Sequence, residues 1–160
     1  MPPIISIVGK SESGKTTFIE RLIPELKKRG YRIGAIKHAS HGFDFDKKGK
    51  DSRRHKEAGA DTVLVAAPGK IAMVKDDNNE TLESLEKYLY DMDLIITEGY
   101  KRENKPKIEI YRSARHKEPF CLNDDNLIAL VTDADIDVKA PKFGWDEIEK
   151  IADLIEKKYL

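Results

Sequence analysis

Glutamine is absent from the 160 residues, cysteine occurs once, and neither sign of charge dominates, with 29 basic and 29 acidic side chains. The lone Cys121 excludes an internal disulfide framework and a four-cysteine zinc site, and it suits a reducing compartment. Balanced charge leaves no global field drawing the chain to nucleic acid or to an anionic membrane, so any anion site must be local. No apolar run approaches the roughly 20 residues that span a bilayer. Met1-Pro2-Pro3 leads into the first apolar run without a basic and apolar leader, so a soluble, cytoplasmic protein is expected. Missing glutamine beside abundant Lys, Glu, Asp and Arg suits work at high temperature, where ion-pair networks gain weight. One domain, 1–160, is expected, long enough to bury roughly two thirds of its unfolded surface.

What is present begins at Gly9-Lys10-Ser11-Glu12-Ser13-Gly14-Lys15-Thr16, which follows the apolar run Ile4-Ile5-Ser6-Ile7-Val8 and opens a helical pattern. Glycines there let the backbone curl round an anion, successive N–H groups and a helix N-terminus face the phosphate oxygens, and Lys15 adds a full charge. Thr16, followed by Thr17, supplies a hydroxyl for magnesium. Nucleotide binding follows from this loop.

Apolar residues at helical spacing, Phe18, Ile19, Leu22 and Leu26, mark the next helix, with Gly30 at its left-handed cap and a kink expected near Pro24. Short apolar strands follow at 33–36, 94–97, 108–111 and 127–131, the one at 108–111 alternating in polarity. Asp51 or Ser52 is expected to cap a short helix that ends at Gly59. Residues 62–65 and 71–74 flank Pro68-Gly69 as a β-hairpin; Leu82, Leu85 and Leu89 mark a helix, and Ile148 to Ile155 the last one. The pattern predicts an α/β fold of the P-loop NTPase type: a mostly parallel sheet, helices on both faces, and ligands at the strands' carboxyl ends. The hairpin either extends that sheet or offers its edge to a second chain.

Glu98 ends an apolar strand where P-loop proteins keep a carboxylate near magnesium or the attacking water, so Lys15 and Glu98 are the candidate catalytic pair. His38, His41, Asp44 and Asp46 fall within nine residues, in a polar stretch that also holds Phe45. Their spacing matches no fixed ligand geometry, so a switch-type loop is the better reading, with Asp46 near magnesium and Lys37 and His38 near phosphate. Lys47, Lys48, Lys50, Arg53 and Arg54 make a local basic patch, either a solvated face or the capture site of a second phosphorylated ligand. Lys10 occupies the place where certain dimeric P-loop proteins carry a lysine that reaches the partner's nucleotide. No Asn/Thr-Lys-x-Asp guanine signature occurs. Asp133, after Thr132, is the nearest approximation, and an ordinary turn aspartate explains it equally well.

Gly9 to Thr17, Ile36-Lys37-His38, Gly49-Lys50-Asp51-Ser52, Ala58-Gly59-Ala60 and Glu98-Gly99-Tyr100-Lys101, in that order, resemble the molybdopterin-guanine dinucleotide biosynthesis adaptor family, often called MobB. The resemblance implies a cytoplasmic homodimer that binds GTP with magnesium and hydrolyses it slowly at best. It also implies association with the guanylyltransferase that attaches GMP to molybdopterin, and contact with other cofactor-synthesis proteins or apo-molybdoenzymes. Molybdopterin or its guanine dinucleotide is a further candidate ligand. Gly9, Lys10, Ser11, Glu12, Ser13, Gly14, Lys15, Thr16 and Thr17 match as the nucleotide loop and Glu98 as the strand-end acid. Lys37, His38, Asp44, Asp46, Lys50, Asp51 and Lys101 also match, as candidates for a second ligand site. Two other readings compete. A small-molecule kinase would use Arg112, Arg115, His116 and Lys117 as a basic lid, and a metal-insertion GTPase would use His38 and His41 as ligands.

Overall fold

The computed structural model describes residues 1–44 and 46–160, so Phe45 of the polar 37–46 stretch lies outside the described residues. The elements in order are β1 (Ile4–Val8), α1 (Lys15–Lys28), β2 (Ile33–Lys37), α2 (Asp51–Glu57), β3 (Thr62–Ala67), β4 (Lys70–Lys75), α3 (Leu82–Leu85), β5 (Leu94–Glu98), β6 (Lys107–Tyr111), β7 (Leu127–Thr132), β8 (Lys142–Phe143) and α4 (Ile148–Tyr159). They form two compact units, Met1–His38 with Leu85–Leu160, and Ala39–Ser84.

The first unit carries a six-stranded sheet in the order β2-β5-β1-β6-β7-β8. Every pairing in it is parallel. This is the α/β, P-loop-type sheet the sequence predicts. Alternate residues of the central strands, Ile5, Ile7, Leu94, Ile96, Ile108, Ile110, Ala129 and Val131, share a core with Phe18, Leu22 and Leu26 of α1 and Ile148, Ile151 and Ile155 of α4. Burying these side chains drives the assembly, each contributing roughly 1.5–3 kcal/mol of transfer free energy. At the end of α1, Gly30 has φ 95° and its N–H donates to Lys27 O while Tyr31 N–H donates to Leu26 O, a Schellman cap at the residue expected. Arg29 ties the two long helices together, reaching Glu25, Asp153, Glu156 and the Glu149 carbonyl.

The alternating strand 108–111 corresponds to β6, a central strand buried along its whole length. Its polar residues are internally paired. Glu109 accepts N–H bonds from Phe120 and Cys121 at 2.8 and 2.9 Å, and Lys107 meets Asp124 at 2.8 Å. The connection 112–126 thus lies over this face of β6, with Cys121 packed against Val8 and Leu127. Burial pushes Glu109's carboxyl above its usual range, opposed by those two N–H groups and by the charge of Lys10. Burial and the Glu109 charge push the Cys121 thiol up to about 12. Cys121 is therefore expected to react with a thiol reagent at pH 8 at least about 100-fold more slowly than in the urea-unfolded chain, as followed by absorbance.

The helix expected through Leu89 stops early: α3 covers Leu82–Leu85 and a turn of 3-10 helix covers Glu86–Tyr88. Beyond it Leu89 and Met92 pack against Gly34, while Asp91 and Asp93 bind Arg32, contacts that a continued helix would pull apart. The short β8 was not expected at all. Helix α1 continues through Pro24.

In the second unit β3 and β4 pair as a separate two-stranded sheet, so the hairpin does not extend the six-stranded one. Ala67 pairs with Lys70 across the two-residue turn Pro68-Gly69, where Gly69 has φ 78°. Its two faces differ. Val63, Val65, Ala72 and Val74 line a cavity of about 500 Å3 together with Arg53 and Lys56 of α2. The opposite face carries the cross-strand pairs Leu64·Met73 and Ala66·Ile71, with Leu64 56 % and Ile71 73 % exposed. Neither Asp51 nor Ser52 caps α2 with its side chain: the cap residue is Lys50, and the Ser52 hydroxyl donates to Asp46 instead. Among the described residues no helix is long and apolar enough to cross a membrane.

Candidate nucleotide site

The loop between β1 and α1 turns on three unusual backbone conformations: Gly9 at φ 153°, Glu12 at 59° and Gly14 at 97°. Gly9 is required by packing as well, since a Cβ there would lie 2.5 Å from Ser13 Oγ and 2.6 Å from Ile110 O. Gly14 is the left-handed N-cap of α1, and a Cβ on it would meet the Trp145 ring at 2.7 Å. Glu12 holds φ 59° without a glycine's freedom, backbone strain of the kind found at binding loops. Replacing Gly14 by alanine is expected to destabilise the protein by roughly 1–3 kcal/mol from the backbone alone. The Trp145 contact adds to that, so a thermal melt within experimental error of wild type would contradict this account of the turn.

Lys15 folds back so that its ammonium donates to the Gly9 and Lys10 carbonyls at 3.0 Å each. Burial lowers its pKa, with Glu98 pulling the other way and Lys37 adding to the depression. Thr16 Oγ1 donates to Glu98 Oε1 at 2.9 Å, joining the first turn of α1 to the end of β5. Lys37, at the end of β2, lies 3.7 Å from the same carboxylate. Strand ends that are adjacent in the sheet thus bring together Lys15, Thr16, Lys37 and Glu98. The Ser13 hydroxyl, fully buried inside the loop, has no hydrogen-bond partner among the described residues. A buried orphan donor in a glycine turn fits an anionic ligand, and the Thr16–Glu98 pair offers oxygen ligands of the kind a magnesium ion takes.

The turn after β5 brings a second group close. Gly99 has φ 103° and Tyr100, unusually for a residue with a side chain, 58°. The Tyr100 ring lies 4.9 Å from that of His38, and Lys101 Nζ lies 5.2 Å from the Phe120 ring. Lys50 and Asp51 belong to the other unit, at the start of α2, with Asp51 3.8 Å from Arg54. Asp46 lines the cavity there, accepting from Ser52 and from the Lys47 N–H, and the Ser52 hydrogen bond holds its carboxyl below the usual range. Among the described residues no three His, Cys, Asp or Glu side chains group as metal ligands.

On the far side of β1, the segment after β6 leans on the loop. His116 Nε2 donates to Ser11 O at 2.9 Å, which fixes its tautomer, and Arg115 lies 3.7 Å from Glu12. Of the residues in the kinase lid reading, His116 and Arg115 are thus engaged by the loop, and the segment is held further by Tyr111 donating to His116 O and by Glu109 accepting from Phe120 N–H. Asp133 accepts from both the N–H and the hydroxyl of Ser113, at 3.1 and 3.3 Å, so Oδ1 serves that turn. Two more side chains stand here: Arg112, which the kinase reading puts in its basic lid, and Trp145, which the sequence did not single out. Arg112 lays its guanidinium on the Trp145 ring, 4.0 Å from the centroid, and both touch the space above Gly14.

Comparison with known proteins agrees with this architecture. The family model described as "Molybdopterin guanine dinucleotide synthesis protein B", MobB, matches residues 4–133. The chain belongs to the MobB family. It is 36 % identical over 157 residues to a molybdopterin-guanine dinucleotide biosynthesis adapter protein of Haemophilus influenzae, covering 96 % of this chain and 88 % of that one. The corresponding Escherichia coli protein is 34 % identical, with 97 % and 92 % covered. A crystal structure of a MobB protein, molybdopterin-guanine biosynthesis protein B, superposes with a TM-score of 0.79 at 34 % identity, covering 96 % of this chain and 98 % of that one. That of Bacillus subtilis MobB gives 0.79 at 28 % identity, with 99 % and 98 % covered. The likeness to MobB structures thus extends over nearly all of the chain.

Proposed function

We propose that this MobB-family chain binds GTP with magnesium and serves as an adaptor for the enzyme that joins GMP to molybdopterin, the transfer itself being the partner's reaction. The observation carrying this reading is the Gly9–Thr16 loop with Thr16 hydrogen-bonded to Glu98 at 2.9 Å, in a chain whose relatives are named as molybdopterin-guanine dinucleotide adapters. Lys15 would bind phosphate, Ser13 and the loop N–H groups would surround it, and Thr16 and Glu98 would hold magnesium, which supplies charge neutralisation between phosphates. Thr17 is the further candidate for a phosphate, and Asp46, in the second unit, is a separate candidate for a cation. Asp133 remains the candidate for the base through its second carboxylate oxygen.

Hydrolysis is slow at best in this proposal, since Glu98 is engaged by Thr16 and Lys37. For a second phosphorylated ligand, a pterin in this reading, the candidates are Lys37, His38 and Lys101 in the first unit and, separately, Lys50 and Asp51 in the second. The whole chain would work as one cytoplasmic, homodimeric nucleotide-binding domain, with the apolar outer face of the hairpin as the contact between copies. Pull-down of purified molybdopterin guanylyltransferase by this protein, with and without GTP and magnesium, tests the adaptor role. Retention above a Lys15→Ala control supports it, and no retention under either condition overturns it.

A further inference from the structure

The two arginines that brace α1 have close acceptors. Arg29 has four, and Arg21 has the Trp145 carbonyl at 2.7 Å and Asp146 at 3.0 Å. In the half-buried Arg112 the Nε is wholly shielded from solvent and has no hydrogen-bond partner among the described residues. Its guanidinium stacks on the Trp145 indole, 4.0 Å from the ring centroid, within the field of the Asp133 carboxylate. A guanidinium presents five donors in a rigid fork suited to phosphate, and stacking on an aromatic ring fixes its plane before any ligand arrives. Desolvating such a group without an acceptor is unfavourable unless a ligand supplies one.

Position says which part of a ligand that would be. Strand β1 has β5 on one side and β6 on the other. The β5 side carries Thr16 and Glu98, the magnesium side of the proposed nucleotide site. Arg112 follows β6 and Trp145 follows β8, so both lie on the opposite side, against Gly14 at the start of α1. Trp145 is pinned there because Arg21 of α1 grips its carbonyl and the side chain of Asp146.

We propose that Arg112 is a nucleotide-binding residue that donates to the phosphate next to the nucleoside, and that Trp145 is the platform that orients it and walls that side of the site. The proposal rests on the nucleotide-binding reading above. A lysine cannot replace Arg112, because an ammonium neither stacks flat nor forks.

Trp145 is the chain's only tryptophan, so emission excited at 295 nm reports this spot alone. GTP, GDP and GMP are titrated against wild type, Arg112→Ala and Arg112→Lys by calorimetry and by tryptophan emission, with circular dichroism on each variant. Expected is a change in Trp145 emission for wild type with all three nucleotides. Both variants should then lose affinity by about tenfold or more and by the same factor for each nucleotide. Wild type that binds by calorimetry without altering Trp145 emission, folded variants with unchanged affinity, or a loss confined to GTP would each overturn the assignment while leaving nucleotide binding intact. If Arg112→Ala does not fold, the wild-type emission titration decides. Wild type that binds none of the three overturns both.

Discussion

Lys15→Ala is expected to reduce GTP affinity by about 30- to 4,000-fold, since truncating one partner of a buried, hydrogen-bonded charge pair costs roughly 2–5 kcal/mol. The ammonium lies against the Gly9 and Lys10 carbonyls inside a glycine turn, so no other cation can take its place without disturbing the loop. Titration calorimetry with magnesium measures the loss, and a change below threefold would remove Lys15 from the site. The same residue predicts a pH dependence. Burial lowers its pKa in the folded protein, so across the interval between that value and the ordinary 10.5 the folded chain binds fewer protons than the unfolded chain. By linkage, Lys15's contribution to stability without nucleotide rises with pH through that interval. Bound phosphate favours the charged form, so GTP binding there should take up protons and weaken as pH rises, visible as a binding enthalpy that varies with the buffer's ionisation enthalpy.

The second large effect concerns association. Leu64, Ala66, Ile71 and Met73 make one face of the hairpin apolar over both strands, and a two-stranded sheet with such a face is not stable on its own in water. Leu64→Lys combined with Ile71→Lys sets two desolvated charges into any contact between copies. Light scattering at micromolar concentration is expected to give twice the 18.2 kDa chain mass for wild type and the chain mass for the double variant, with circular dichroism unchanged. A wild-type monomer, or a variant that remains dimeric, would rule out this face as the contact.

Features written into contiguous residues were legible. The Gly9–Thr16 turn, the Gly30 cap and the Pro68-Gly69 hairpin follow from local backbone chemistry, and Glu98 from its place at a strand end. The P-loop sheet followed from strand–helix alternation. What escaped depends on residues distant in sequence. Arg112 and Trp145 meet only because β6 and β8 end on the same edge of the sheet, and nothing near either residue announces it. Leu89 fits a helical stripe, yet its packing against Gly34 ends the helix before it. Ser52 has cap chemistry but finds Asp46 first. The alternation at 108–111 marks a polar face of β6 that the 112–126 connection buries, supplying partners for Glu109 and Lys107.

The measurement that bears most directly on the central claim is calorimetric titration of the protein with GTP and with ATP in magnesium, alongside Lys15→Ala. Binding of GTP in preference to ATP, abolished by the substitution, is the result predicted. Preference for ATP, or GTP binding that survives loss of Lys15, would contradict the account.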